Sequence, residues 1–120
     1  MKQKINEATV VMAKCKNAKK PFGIRMEKKR NSVWYCTWAF KLSERSAKNE
    51  GYGNTIVSGL VDLDEEWPGC PYCNSNGWFN CVNCGRLTCY SNETYVTCAW
   101  CNKSGECTPA EKFDLKGDGY

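Results

Sequence analysis

Seven of the ten cysteines in this 120-residue chain lie in "WPGCPYCNSNGWFNCVNCGRLTCYSNETYVTCAWC", residues 67 to 101. Six form Cys-x-x-Cys pairs, Cys70/Cys73, Cys81/Cys84 and Cys98/Cys101, and Cys89 stands alone between pairs. A Cys-x-x-Cys turn aims two sulfurs at one point and offers backbone N–H groups to the thiolates, which suits a metal ion. A disulfide across so short a loop is strained and labile, and redox pairs usually open a helix. These pairs instead adjoin short β-type segments, "GWFNC" and "TYVTC". Three pairs together therefore read as structural zinc sites.

The chain contains no histidine. That excludes mixed cysteine–histidine fingers, histidine-based zinc catalysis and Cys–His or Ser–His nucleophile pairs. All-sulfur zinc sites are closed, and closed sites are structural. No Asp, Glu, Ser or Lys constellation with catalytic spacing is visible, so the expectation is a protein without an activity of its own. The N-terminus has no apolar stretch of the secretory type and no run is long enough to span a membrane, so the expected compartment is a reducing cytoplasm.

Something must hold the sulfurs. Hydrophobic residues make up 42% of the chain, enough for one small domain whose thin core needs staples. "FGIRMEK" (22–28) alternates, with Phe22, Ile24 and Met26 on one face and Arg25 and Glu27 on the other. "WYCTWAFKL" (34–42) places Trp34, Cys36, Trp38, Phe40 and Leu42 together. "ATVVMAK" (8–14) and "NTIVSGLVDL" (54–63) are two more strands, and a helical turn fits Ser43 to Asn49. The predicted fold is a small β-rich zinc-binding domain: an antiparallel β-meander with one longer crossover over 8–66, a zinc-ribbon-like part over 67–107 and a loose tail over 108–120.

Within the ribbon, joining Cys70 and Cys73 to Cys98 and Cys101 would close one site around the middle hairpin. Cys81, Cys84 and Cys89 would then start a second site and lack one ligand. Cys15, Cys36 and Cys107 could supply it. Cys36 lies on an apolar strand face and reads as a buried core cysteine. Cys107 sits in a polar stretch without a scaffold. Cys15 ends the first strand, where a turn can aim it at another layer. Gly85 fits the left-handed position after a knuckle.

Charge divides the chain. Residues 1–50 carry +9 and residues 51–120 carry −5. Lys14, Lys16, Lys19, Lys20, Arg25, Lys28, Lys29 and Arg30 crowd the first hairpin. They read as solvated turns or, on the sharper view, as a docking face for an acidic partner or nucleic acid. Two four-thiolate zinc sites would bring the chain to about zero net charge and make its C-terminal half a poor phosphate binder.

The order of "C-x5-PF", "GCPYC", "C-x-x-CGRL-x-C" and "C-x-W-C" resembles the TerY-C metal-binding domain, the cysteine-rich module of bacterial tellurium-resistance TerY proteins, over about residues 8 to 106. The family pattern has cysteines matching Cys15, Cys70, Cys73, Cys81, Cys84, Cys89, Cys98 and Cys101, so the resemblance implies two zinc ions and makes Cys15 the fourth ligand beside Cys81, Cys84 and Cys89. Cys36 and Cys107 fall outside it. Ala99 and Asn74 depart from the family's usual proline and glycine, and asparagine tolerates the left-handed conformation. These 120 residues have no room for the von Willebrand A-type domain that TerY proteins carry, so the expectation is either a free-standing relative or an excised module. The resemblance implies a protein-docking scaffold in a stress-response or phage-response system, with a kinase, a phosphatase or a von Willebrand A-type protein as partner, nucleic acid being the lesser alternative and a membrane none.

Overall fold

The computed structural model describes residues 7–29, 31–42, 56–107 and 112–116. The helical turn expected over Ser43 to Asn49, and Arg30 of the basic cluster, lie outside these residues. The described chain is all β: β1 (Glu7–Lys14), β2 (Pro21–Lys28), β3 (Trp34–Lys41), β4 (Ile56–Leu63), β5 (Gly77–Asn80), β6 (Leu87–Tyr90), β7 (Tyr95–Thr97), β8 (Ser104–Glu106) and β9 (Lys112–Lys116). Seven strands form one sheet in the order β5-β6-β1-β2-β3-β4-β9, and β7 and β8 form a separate hairpin.

The alternation read in residues 22–28 is observed, with Phe22, Ile24 and Met26 buried and Arg25 exposed. Residues 34–42 depart from expectation halfway along. Trp34 and Cys36 are buried, but Trp38 is 52% exposed and Ala39 is buried in its place. The register gives the reason: Arg25 pairs with Trp38 and Met26 with Cys36, so Thr37 is the extra residue of a β-bulge. One inserted residue moves every later side chain to the opposite face. Phe40 consequently lies on the outer face over Gly23, where an added Cβ would come within 2.6 Å of the ring.

Three further expectations are corrected. The first four strands are not an antiparallel meander throughout, because β3 and β4 pair in parallel. Fourteen residues separate Lys41 from Ile56, and a connection of a dozen or more permits such a crossover. The segment 67–107 is not wholly apart from the first strands, because β6 joins β1 in parallel through Ala13↔Leu87 and Lys14↔Thr88, while β7 and β8 pair with each other. The tail is not loose along its whole length, because β9 pairs antiparallel with β4.

The core merges both halves. Phe22, Ile24, Met26, Trp34, Cys36 and Val57 pack with Trp67 and Leu87, and with Cys15, Cys70 and Cys89. Trp78 reaches across it, its Nε1–H donating to Cys36 Sγ at 3.3 Å. Cys36 is therefore the buried core cysteine that its apolar strand face suggested, and burial pushes its thiol up to about 12.

Candidate metal centres

Each Cys-x-x-Cys pair folds into the same turn. The first cysteine donates its N–H to the carbonyl five residues on: Cys70 to Ser75, Cys81 to Arg86 and Cys98 to Lys103, all at 2.9 Å. Its own carbonyl accepts from the residue four on: Asn74, Gly85 and Asn102, at 2.9, 2.7 and 3.0 Å. The three residues that donate to those carbonyls are left-handed, with φ of 65°, 77° and 67°. Glycine and asparagine tolerate that conformation best, which agrees with the sequence reading of Gly85 and Asn74; Asn102 is the third such residue.

The knuckles assemble two four-sulfur clusters, Cys15, Cys70, Cys73 and Cys89, and Cys81, Cys84, Cys98 and Cys101. In each, the four sulfurs lie within 4.8 Å of one another. These are the eight cysteines expected as ligands, and neither cluster contains Cys36 or Cys107. The partition differs from the expected one. Cys70 and Cys73 do not meet Cys98 and Cys101, and Cys15 and Cys89 do not meet Cys81 and Cys84.

Strand β6 explains the exchange. Its side chains alternate, so Leu87 and Cys89 face the core while Thr88 faces the other way. The parallel register aligns Ala13 with Leu87 and Lys14 with Thr88, which brings the next residues, Cys15 and Cys89, together on the core face. The pair Cys70/Cys73 completes that cluster. On the opposite face, buried Thr88 accepts the Ala99 N–H at 3.1 Å and its hydroxyl lies 3.9 Å from Cys98 Sγ, which seats the last knuckle over the Cys81/Cys84 knuckle.

The spacing fits a tetrahedral ion. The Cys73–Cys89, Cys81–Cys101 and Cys84–Cys98 sulfur pairs each lie 3.7 Å apart. With metal–sulfur bonds of about 2.3 Å, a regular tetrahedron has edges of about 3.8 Å. A disulfide needs about 2.05 Å, and all ten cysteines are free. Amide donors converge on the sulfurs: Lys16 on Cys89 at 3.3 Å, Ala18 on Cys15 at 3.3 Å, Tyr72 on Cys70 at 3.4 Å and Trp100 on Cys98 at 3.3 Å. Asn83 Nδ2 adds a donor 3.5 Å from Cys101.

Cations and polar groups surround the thiols. Lys16 binds Glu93 and, at 3.2 Å, Ser91. Ser91 continues through Ser75, at 3.0 Å, to Cys73, at 3.1 Å. Burial works to lower the Lys16 pKa, but Glu93 outweighs it and holds the ammonium above its ordinary range, with help from Cys89 and Cys73. The same pair draws Glu93 down to about 2. At the second cluster, Trp100 donates its indole N–H to the Leu87 carbonyl at 2.6 Å, and its ring is flanked by Lys14 at 4.4 Å and Arg86 at 4.9 Å. Trp67 packs with Cys70 in the core, Trp78 donates to Cys36, and Trp100 is flanked by cations.

Each cluster divides its protons unevenly. Burial pushes Cys70 up to about 11, and burial with neighbouring thiols pushes Cys84 to about 12. Burial also raises Cys73, but the Ser75 hydroxyl and amide overcome it and bring that thiol to about 6. The Lys103 amide and the Asn83 side chain bring Cys101 to about 6. A divalent ion needs thiolates, so it must displace protons from Cys70 and Cys84 at neutral pH. Apparent metal affinity should fall as pH falls from 8, and more steeply below about 6, where Cys73 and Cys101 also hold protons. Competition against a chelating dye of known pH dependence measures this, and a flat profile would contradict it.

Thr88→Val tests the seat of the last knuckle. It preserves shape but leaves the buried Ala99 N–H unpaired, which costs roughly 1–3 kcal/mol. Denaturant unfolding of the metal-loaded protein should show that loss, together with faster metal release from the second cluster alone.

No family model, curated protein or solved structure matches this chain. Among the described residues no helix is long and apolar enough to cross a membrane.

Proposed function

We propose that this protein is a non-catalytic binding module in which two structural zinc ions hold a β-rich scaffold that docks a protein partner. The observation that carries the reading is the pair of four-sulfur clusters at tetrahedral spacing. With four protein thiolates on each ion, no coordination position is left for a substrate or water, which is the pattern of structural rather than catalytic zinc. Ten free cysteines suit a reducing compartment, and the proposed location is the cytoplasm.

The surface beside the knuckles supports docking. Val82 stands fully exposed at the tip of the Cys81/Cys84 knuckle, and Tyr95 on β7 is 64% exposed. Between β5 and the β7–β8 hairpin runs a groove of about 560 Å³ lined by Trp78, Phe79, Tyr90 and Val96. The likeness of the cysteine pattern to the TerY-C module, a zinc-ribbon-like domain, supports a bacterial stress-response or phage-response setting. The partner is then a kinase, a phosphatase or a von Willebrand A-type protein.

The rival reading, a nucleic-acid-binding ribbon, rests on the basic first hairpin. Several of those cations are engaged locally: Lys16 with Glu93, Arg25 with Glu27, Lys29 with Asp64, and Lys14 on Trp100. Metal analysis, with calorimetric titration of the zinc-loaded protein against the three candidate partner classes from its host and against generic duplex DNA at low and high salt, tests both readings. Binding to one protein and none to DNA is expected. DNA binding that weakens steeply with salt would favour the rival.

A further inference from the structure

The turn after β1 repeats the geometry of the three knuckles. Cys15 donates its N–H to the Lys20 carbonyl, five residues on, at 3.0 Å, and accepts from Lys19, four on, at 2.9 Å. Lys19 is left-handed, with φ of 58°. A lysine gains nothing from that conformation and persists in it only where the surroundings demand it. The loop length agrees as well. Lys14 pairs with Pro21, Asn80 with Leu87 and Thr97 with Ser104, so "CKNAKK", "CVNCGR" and "CAWCNK" are six-residue hairpin loops of one kind, each ending on a basic residue. The second cysteines Cys84 and Cys101 take the fourth place of their loops, and that place in the first loop holds Ala18.

We infer that residues Cys15–Lys20 form a fourth metal knuckle whose second ligand position is occupied by Ala18, and that Cys89 supplies the missing thiolate from the neighbouring strand. The second cluster shows the complete form, two facing knuckles contributing two thiolates each. The first is the same arrangement with one ligand transferred. Ala18 is exposed while Cys73, Cys84 and Cys101 are half-buried, so the fourth place of every loop lies on the outer side of the turn, and the first cysteine of each lies inside. The Ala18 N–H donates to Cys15 Sγ at 3.3 Å, which keeps position 18 against the cluster. Cys89 follows Thr88, the last residue that β6 pairs with β1, lies in the same four-sulfur cluster as Cys15 and is fully buried. The transfer has a consequence: an ion held by two facing knuckles would tie only two loops together, whereas a ligand from β6 also clamps the two-residue seam that joins the halves of the sheet.

The inference rests on the clusters binding metal, and the parent protein tests that separately by its ion count. Cobalt(II) is the probe, because sulfur-to-cobalt charge-transfer absorption grows with the number of thiolates bound. Cys89→Ser should lose one of the two full-intensity sites. Ala18→Cys with Cys89→Ser should restore two ions and the absorption of two four-thiolate sites, while hydrogen exchange at β6 stays faster than in the parent because the clamp is gone. Asn17→Cys with Cys89→Ser should not restore the site. Failure of the Ala18→Cys double variant to fold or to regain the second site, or equal rescue by Asn17→Cys, overturns the inference. Should Cys89→Ser itself not fold, Ala18→Cys alone decides: loaded with metal, it should show Cys89 gaining reactivity toward iodoacetamide as the two thiolates share one position. Full protection of Cys89 beside an unprotected cysteine at position 18 overturns the inference. A parent that binds no cobalt refutes the metal reading itself, and the knuckle inference falls with it.

Discussion

Removing zinc with a strong chelator is expected to abolish the cooperative unfolding transition of the whole domain, and returning two equivalents is expected to restore it. The first cluster is part of the core: Cys15, Cys70 and Cys89 pack with Val11, Phe22, Trp67 and Leu87. Without an ion, that core must close around crowded thiols that have exchanged water for weak sulfur contacts. The second cluster is the junction of the β5–β6 and β7–β8 hairpins. The latter has only three pairs of residues and cannot stand alone. A structural zinc site contributes on the order of 10–16 kcal/mol of apparent binding energy, against about 5–15 kcal/mol for the net stability of a typical domain. Loss of both ions therefore exceeds any plausible reserve. Tryptophan fluorescence, near-ultraviolet circular dichroism and protease resistance follow the change, with elemental analysis giving two zinc ions per chain beforehand. Unchanged spectra in chelator, or one ion per chain, would refute it.

Double cysteine variants are expected to reveal the partition of the ligands, with an effect of a whole ion. Cys15→Ser with Cys70→Ser strikes the first cluster twice and should leave one ion bound. Cys15→Ser with Cys81→Ser strikes both clusters and should leave none. The partition expected from the sequence and its family resemblance predicts the reverse, since it places Cys15 with Cys81 and Cys70 with Cys98. Native mass spectrometry of the loaded proteins separates the outcomes without any measurement of activity. Single variants at Cys15 or Cys89 should also release the β1–β6 seam, which only two residue pairs hold directly. Amide exchange at Leu87–Tyr90 should then rise well above that of β2. Cys36→Ser and Cys107→Ser should keep both ions. The first loses the Trp78–sulfur hydrogen bond and places a hydroxyl in the core, a cost of about 1–3 kcal/mol in stability.

Local features of the protein were legible in its sequence. The Cys-x-x-Cys spacing named six of the clustered cysteines, because the turn that aims two sulfurs at one ion is made by six consecutive residues. The inward face of β2 followed from period-two alternation, and left-handed positions were announced at Gly85 by its missing Cβ and at Asn74 by its tolerance of that conformation. Cys89 was placed by its position inside the cysteine-rich segment, whereas choosing Cys15 over Cys36 and Cys107 leaned on the resemblance to a known pattern. The partition of ligands was beyond reach for a physical reason. It depends on which face of β6 presents Cys89 and on the register of β6 against a strand more than seventy positions earlier. Reading the middle segment as one local site assumed that Cys89 points the same way as the knuckle beside it, and the alternation of a strand reverses that within one residue. The bulge at Thr37 defeats sequence periodicity in the same manner, sending Trp38 outward by one inserted residue. Ligand identity is a property of side chains and their nearest neighbours. Ligand grouping is a property of strand register, which only the packing of distant segments decides.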